Sequence, residues 1–412
     1  MKHSVGKVHN TVTNLSNSVI SSLLQADIIR PARKSSFVSN FFLVGKEGNT
    51  KVRPIFDYSH LTRHIKAPHF VLPSLFQIVK KQPWEKRLFY CKIDIRSAFF
   101  NIPLKESSKH ITNFRYGNNN FELNRLPMGL SIAPYVMQQF LNAIIQKYRP
   151  LLTRVWGHID DVLLAHKNAN KLRAVVKSLL KDLTDVDWRI NTTKSVLIPT
   201  KTITFLGSIW TSFGVKREST VTARLAAIWD VVKHMDLKGK PLQRVRGLFN
   251  YYFGFAGPFH SVTNRILKAR DKWKHETKIK FLLKSDFVSF RDRTLPQIKI
   301  YVDASMYRIA AVVNNLAISI PSSAPYIALN ELYAAILGAN TFTRLYNKKQ
   351  FNLCLYTDNM NVYYLLSKGS CKWNIPLNLL FHTLKFFNQI DYNILYIPSA
   401  LNPADKPSRL KL

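Results

Sequence analysis

The spacing of apolar residues divides the chain into four stretches. Residues 1–35 are polar and rich in Ser and Asn, with helical spacing only over about 19–28, closed by Pro31. Over 36–214, short apolar runs bounded by turn residues predominate. Residues 37–44 and 51–58 read as two strands joined by Gly45-Lys46-Glu47-Gly48-Asn49-Thr50, and 87–95 as a third with Asp94 near its end. Leu126-Pro127-Met128-Gly129-Leu130 is a turn that leads into an apolar-periodic helix reaching about Ile145, and 172–183 is helical again. Between these helices, Val155-Trp156-Gly157-His158-Ile159-Asp160-Asp161-Val162-Leu163-Leu164 predicts a β-hairpin whose tight turn carries both acids. From 215 to 294 the spacing is helical, with amphipathic segments at 221–235 and 242–253. From about Leu295 an α/β pattern starts afresh: 297–302 alternates and ends at Asp303, Asn330-Glu331 opens a helix with its acid in the first turn, 351–357 is a strand ending at Asp358, and 392–397 is a final strand running toward Asp405.

Composition narrows what such a chain can do. Its 412 residues are 46% hydrophobic, enough for two or three cores. Against 60 Lys and Arg stand 24 Asp and Glu, a net charge of +36 that runs along nearly the whole sequence. That surplus calls for a polyanionic partner, nucleic acid first and an anionic membrane surface second. No apolar run approaches the roughly 18 residues of a membrane span, and the N-terminus lacks a signal-peptide core, which favours an intracellular or packaged protein, not a secreted one. Cys91, Cys354 and Cys371 form no CxxC pair and suit packing roles in a reducing compartment.

With so few acids, their placement is informative. An isolated Asp-Asp pair is ordinarily a solvated turn, but Asp94 at a strand end and Asp160-Asp161 in a hairpin give three carboxylates on one candidate sheet. Such acids suit two divalent ions roughly 3.5–4 Å apart that serve an in-line displacement. Magnesium fits, because it takes oxygen ligands and keeps several waters. Lys46 and Arg53 on the first hairpin have the chemistry to grip a triphosphate. Asp303, Glu331, Asp358 and Asp405, each ordinary as a cap or turn residue, together suggest a second metal site. The cations and aromatics interleaved over 268–284, Trp273 and Phe281 among them, suit a surface that grips duplex phosphates.

In order along the chain, Asp94 with Ala98 and Phe99, Leu126-Pro127-Met128-Gly129-Leu130, Ile159-Asp160-Asp161, Lys194 and Phe205-Leu206-Gly207 resemble the successive palm motifs of reverse transcriptases. The series Asp303, Glu331, Asp358, Asp405 resembles the four-carboxylate centre of a ribonuclease H domain. Residues 55–63, 243–259 and above all Tyr396-Ile397-Pro398-Ser399-Ala400-Leu401-Asn402-Pro403-Ala404-Asp405-Lys406-Pro407-Ser408-Arg409 are most similar to hepadnavirus-type, pararetroviral polymerases. Tyrosine-recombinase and gypsy-like retrotransposon polymerases share part of the pattern.

The resemblance implies an α+β right-hand polymerase followed by an α/β ribonuclease H-like domain. Its parts would be an N-terminal arm (1–35), fingers and palm (36–214), a basic helical thumb or connection (215–294) and the ribonuclease H-like domain (295–412). It implies RNA- and DNA-templated DNA synthesis with cleavage of the RNA strand of hybrids. Asp94, Asp160 and Asp161 would be the polymerase acids, Lys46 and Arg53 would hold the incoming dNTP, and Phe99 would exclude a ribose 2′-hydroxyl. Met128 and Gly129 would line the nucleotide pocket, Lys194 would protonate pyrophosphate, and Phe205, Leu206 and Gly207 would form the primer grip. Two Mg²⁺ ions per site, replaceable by Mn²⁺, would be held by the polymerase acids and by Asp303, Glu331, Asp358 and Asp405. The implied partners are an RNA template, a DNA primer, an RNA–DNA hybrid and dNTPs, without a membrane, and with a capsid or separate priming protein as a further candidate. The implied location is the cytoplasm or a virus-like capsid.

Three departures stand out. His158 occupies the position where the family usually carries Tyr, which raises the expectation of pH-sensitive extension or an altered metal preference. A hepadnaviral terminal-protein domain is not expected within this length, which puts priming by that route in doubt. Seven residues follow Asp405, so a trimmed ribonuclease H domain or an early end is expected. Two other readings compete: a catalytically inactive basic nucleic-acid-binding protein descended from a retroelement polymerase, and a basic chromatin-like protein. The first leaves the intact set of acids unused, and the second has no account of their order.

Overall fold

The computed structural model describes residues 14–32, 38–45, 52–68, 87–253, 259–290, 295–369 and 375–410, with isolated positions between 70 and 79. They divide into two compact units: one takes the described residues within 1–72 and 89–200, the other those within 73–88 and 201–412.

In the first unit a helix, Asn14–Gln25, starts and ends earlier than its apolar spacing suggested, and the next residues form strand β1 (Ile29–Pro31). Strands β2 (Asn40–Gly45) and β3 (Val52–Asp57) pair antiparallel from Asn40 opposite Asp57 to Gly45 opposite Val52. Residues 46–51, Lys46 included, lie outside the described residues. Pro54 fits β3 because a two-stranded ribbon leaves an edge where a missing N–H costs little. Strand β4 (Phe89–Asp94) lies inside a four-stranded sheet. A small sheet orders β1 beside β6 (Asn119–Leu123) and β6 beside β5 (Phe114–Tyr116).

Helix Ala133–Ile145 begins where Pro134, in the first turn, has no intrahelical partner to lose. Strands β7 (Arg154–His158) and β8 (Asp161–His166) follow, then helix Ala169–Asp185, whose N-cap Asn168 accepts from Lys171 N. Strand β9 (Val196–Thr200) completes the sheet in the order β7, β8, β4, β9. Leu172, Val175, Val176, Leu179 and Leu183, spaced at three and four residues, bury one helix stripe in a core with Ile93, Leu141 and Val162. Val162 to Ala165 are all fully buried, so β8 is covered on both faces, as its unbroken apolar run implied.

The second unit opens with a meander, β10 (Thr202–Phe205), β11 (Ser208–Thr211) and β12 (Gly214–Arg217), extended by β13 (Phe287–Ser289). Helices Ser219–Val232, Gly239–Phe253, His260–Lys268 and Glu276–Lys284 lie between β12 and β13. The side chain of Arg217 is fully buried: its guanidinium donates to the carbonyls of Leu282 (3.1 Å) and Ser285 (2.8 Å), where helix Glu276–Lys284 ends. A cation there meets the negative end of the helix dipole. Burial lowers its pKa to about 10, with Asp286 opposing, and it stays charged at neutral pH. Phe281 is half-buried and packs against the core edge-on to Phe381, with Lys385 Nζ 5.0 Å from its ring centre; Trp273 is exposed, with Lys274 Nζ 5.5 Å from its ring centre.

The chain then builds a five-stranded sheet from β14 (Gln297–Ala304), β15 (Arg308–Val313), β16 (Leu316–Pro321), β17 (Asn352–Thr357) and β18 (Tyr392–Tyr396), ordered β16, β15, β14, β17, β18. The first three form an antiparallel meander, and β14, β17 and β18 run parallel, which requires crossovers. Helix Ile327–Leu345 supplies one crossover, and Met360–Lys368 with Leu377–Phe387 the other. At Gly338 a Cβ would lie 2.6 Å from Val302 Cγ1, and Ala334, Ala335 and Ala339 are buried beside it. These small residues let the helix backbone approach β14 closely. Cys91 and Cys354 are buried free thiols, while Cys371 lies outside the described residues. Among the described residues, no helix is long and apolar enough to cross a membrane.

Candidate functional site

In the first unit, β4 and β8 place Asp94 directly opposite Asp161. His158 pairs with Asp161 in the hairpin, so Ile159 and Asp160 alone make the turn. The expectation that both acids sit in the turn is thus corrected: Asp160 is exposed at the tip and Asp161 is the half-buried first residue of β8. Ile159 has φ 57°, a strained value for a β-branched residue. Gln138, on helix Ala133–Ile145, holds this turn. Its Nε2 donates to Gly157 O (3.0 Å) and its Oε1 accepts from Ile159 N (2.9 Å). No motif reading singled out Gln138; the available signal was a polar residue on the helix's otherwise apolar face, where it is 5% exposed.

The backbone around Asp94 is tied to the hairpin and to the segment before β9: Ile95 N donates to Asp160 O (2.8 Å), and Asp94 N donates to Ser195 Oγ (2.9 Å). Like charges directly opposite in a sheet repel. Lys194 Nζ stands 3.8 Å from Asp94 Oδ2 and relieves part of that repulsion. Asp161 Oδ1 is buried without a hydrogen-bond partner. Burial pushes Asp161 up to about 6, with Lys92 opposing and Asp160 and Asp94 adding to the rise. Asp160 is also raised, by loss of surrounding water and then by Asp94, an effect that its exposed position weakens. His158 is lowered by burial, against Asp160, and its Nδ1 has no partner. The orphaned Asp161 oxygen suits a divalent cation by its chemistry, although among the described residues the oxygens of Asp94, Asp160 and Asp161 do not all lie within 4.8 Å of one another.

The other expected residues sit as follows. Phe99 is half-buried in the 3₁₀ turn Ala98–Asn101 that follows Asp94, entered through Ser97 at φ 51°. Met128 is half-buried; Gly129 has φ 104°, and a Cβ there would lie 2.7 Å from Phe56 O, so only glycine fits. Arg53 is exposed on β3. Phe205, Leu206 and Gly207 belong to the second unit, where Leu206 (φ 51°) and Gly207 (φ 67°) form the two-residue turn between β10 and β11. Phe205 is buried, and Tyr251 Oη donates to Leu206 O at 3.5 Å.

The second unit brings Asp303, Glu331 and Asp358 together with carboxylate oxygens within 4.8 Å of one another. Asp303 ends β14, Asp358 follows β17, and Glu331 reaches in from helix Ile327–Leu345. The helix begins at Ile327, so Glu331 lies in its second turn, not its first. Glu331 is 8% exposed and its Oε2 has no partner. Burial pushes it up to about 8, Asp303 and Asp358 add to the rise, and a hydrogen bond with Asn359 opposes it. Asp303 is raised by burial, opposed by Ser408, whose Oγ donates to Asp303 Oδ2. Asp405 is outside this close group. Its Oδ1 accepts from Arg409 Nε (3.0 Å) and a terminal guanidinium nitrogen (2.7 Å). Oxygen donors, mutual repulsion and an orphaned oxygen together fit a divalent cation here too.

Residues 44–210 match the family model described as "Reverse transcriptase (RNA-dependent DNA polymerase)". The chain is 25% identical over 262 residues to the "Putative enzymatic polyprotein" of Cassava vein mosaic virus, covering 61% of this chain and 38% of that one. It is 26% identical over 262 residues to the "Transposon Tf2-7 polyprotein" of Schizosaccharomyces pombe, covering 63% and 19%. It therefore spans about two-fifths and one-fifth of these relatives' lengths. The foamy viral protease-reverse transcriptase shares its fold: a complex with double-stranded DNA superposes with a TM-score of 0.60 at 14% identity, over 95% of this chain and 71% of that one. A complex with RNA/DNA hybrid gives 0.58 at 15%, over 95% and 55%. The chain thus shares the fold of the foamy viral protease-reverse transcriptase, and its residues 44–210, less than half of its length, match the reverse transcriptase family model.

Proposed function

We propose that the chain is an RNA- and DNA-templated DNA polymerase whose C-terminal sheet cleaves the RNA strand of RNA–DNA hybrids. The observation that carries the polymerase reading is Asp94 opposite Asp161 with Asp160 at the adjoining turn, inside the segment that matches the reverse transcriptase family. Divalent cations, magnesium by preference, would activate the attacking oxygen and stabilise the leaving oxygen. Asp94, Asp160 and Asp161 would hold them. Lys194, 3.8 Å from Asp94, would meet the departing pyrophosphate, and exposed Arg53, with Lys46, would bind the triphosphate. Phe99, held in its 3₁₀ turn, would present a ring against a ribose 2′-hydroxyl, and Met128 and Gly129 would border the base pair. Phe205, Leu206 and Gly207 would contact the primer.

Asp303, Glu331 and Asp358, with Asp405 joining, would serve hybrid cleavage; their closeness supports that assignment. The expected partners are a template, a primer, a hybrid and dNTPs, and the structural neighbours were solved with double-stranded DNA and RNA/DNA hybrid. A viral and a transposon polyprotein among the relatives support a retroelement or virus source, within which the hepadnavirus-type likeness of residues 396–409 is our finer proposal. Capsid packaging and a separate priming protein belong to that same proposal.

The test is Mg²⁺-dependent dNTP incorporation on a primed RNA. The intact chain is expected to extend the primer, and an Asp160→Asn/Asp161→Asn variant to do so not at all. Equal extension by both would sink the assignment.

A further inference from the structure

Helix interiors disfavour Asn, because its amide competes with the helix for backbone partners. Yet Asn330 is the fourth residue of helix Ile327–Leu345, is fully buried and immediately precedes Glu331. Its amide is fully engaged outside its own helix. Nδ2 donates to Ser305 O (2.8 Å) and Met306 O (3.1 Å), the carbonyls two and three residues beyond Asp303. Oδ1 accepts from Ser322 Oγ (2.5 Å), just past β16. The loop it grips is itself closed: Ser305 Oγ accepts from Arg308 N (3.1 Å), and Ser322 N donates to Tyr307 O (2.7 Å). One side chain therefore links the end of β14, the end of β16 and the helix that delivers Glu331.

We propose that Asn330 is a positioning residue, which holds the strand end carrying Asp303 and the helix turn carrying Glu331 at cation-binding distance. The inference rests on the reading of Asp303, Glu331 and Asp358 as a divalent-cation site. Once Glu331 gives up its proton, two buried carboxylates push each other apart, and of the groups beside them Ser408 and Asn359 offer hydrogen bonds while Asp358 and Asp405 add repulsion. Arg409, whose charge also reaches Asp303 and Asp358, commits its hydrogen bonds to Asp405. Core packing holds the helix on β14 further along, at Gly338 against Val302, and beside the acids the neutral amide of Asn330 ties the two backbones together. The site is built before its cation arrives.

The test measures Mn²⁺ binding by the paramagnetic resonance signal of free Mn²⁺, using the full chain in an Asp160→Asn/Asp161→Asn background so that uptake reports on this cluster. Glu331→Gln sets the level of lost binding. Asn330→Ala is expected to weaken the affinity about tenfold or more, the cost typical of losing support behind a metal ligand. Ser322→Ala, which removes only the Oδ1 partner and leaves the fold less challenged, is expected to weaken it by a smaller factor in the same direction. Unchanged Mn²⁺ affinity in a folded Asn330→Ala chain, or in Ser322→Ala if the first does not fold, would overturn the positioning role even if melting temperature fell. Should Glu331→Gln bind Mn²⁺ as well as its parent, the cation site itself falls and the clamp with it.

Discussion

In the absence of divalent cations, replacing Glu331 by Gln is expected to stabilise the unit that contains it at pH 8 and to leave it unchanged near pH 4. The folded-state carboxyl is pushed up to about 8 from an ordinary 4.5, first by burial and then by Asp303 and Asp358. The folded protein therefore keeps a proton that the unfolded chain has already released. For such a raised acid, stability is fully present below the unfolded value and is lost as pH rises toward the folded one. The window is thus about pH 4.5 to 8, and a shift of this size sets a ceiling on the order of 5 kcal/mol, at about 1.36 kcal/mol per pKa unit. Gln fills the same space without a charge to bury. If half the ceiling is realised, the melting temperature of a unit of this size should differ by roughly 5–10 °C at pH 8. Thermal unfolding of the full chain in EDTA, followed from pH 4.5 to 8.5, reads this directly. Mn²⁺ should reverse the order, because it stabilises Glu331 and has little to gain from Gln. Parallel stability profiles for the two proteins in EDTA would refute the reasoning.

Gln138→Leu keeps the volume but strips partners from Gly157 O and Ile159 N; it should cost about 1–3 kcal/mol in urea unfolding and reduce extension more than binding of primed template. Gly129→Ala meets both a φ of 104° and Phe56 O, so a loss of about 1–3 kcal/mol, with poor dNTP incorporation, is expected from the same two assays. Arg217→Met leaves the carbonyls of Leu282 and Ser285 without their guanidinium and should destabilise the second unit by about 2–4 kcal/mol, read by chemical unfolding. His158 is held below its ordinary value, so it is neutral at pH 7; the rate profiles of the intact chain and His158→Tyr between pH 7 and 8 should run parallel, and a titration step removed by the substitution would contradict this. As pH falls below about 6.5, the unfolded chain takes up the His158 proton first, so stability should decline there.

The acids were legible because each breaks a pattern. Asp94 and Asp358 end apolar runs, and a buried unpaired charge at such a point demands an explanation. Strands β4, β14 and β17 were placed within a residue or two for the same reason. The hairpin was legible, but not the allocation of its acids, since two adjacent Asp read as a turn until the register puts Asp161 opposite both His158 and Asp94. Phe281 and Trp273 look alike in sequence, and only the fold packs one against the core and leaves the other in solvent. Arg217, Gln138 and Asn330 escaped notice for a common reason. Each bonds backbone atoms far from it in sequence or across elements, and no local propensity encodes such a partner. The alternation Val215, Lys216, Arg217 did place Arg217 on the inward face, but an Arg in a chain of charge +36 draws no attention.

The two acid centres solve the problem of self-repulsion differently, and the difference bears on how each meets its cation. Around Asp94, Asp160 and Asp161 the fold supplies lysines: Lys194 stands 3.8 Å from Asp94, and the charge of Lys92 favours the ionised form of Asp161. One of the three acids is also exposed. Asp161, pushed up only to about 6, is largely ionised at pH 7 without a metal, and exposed Lys194 supplies a counter-charge beside Asp94. Around Asp303, Glu331 and Asp358 the relief comes from hydrogen-bond donors and from Arg409 at a remove. A carboxyl pushed up to about 8 is mostly protonated at pH 7, so cation uptake there must expel a proton, which makes affinity rise with pH. The geometry is held ready by neutral backbone clamps, while the charge is withheld until the cation arrives. A site so arranged exchanges readiness of charge for precision of position, so its occupancy by a cation should depend on pH more steeply than that of the first centre.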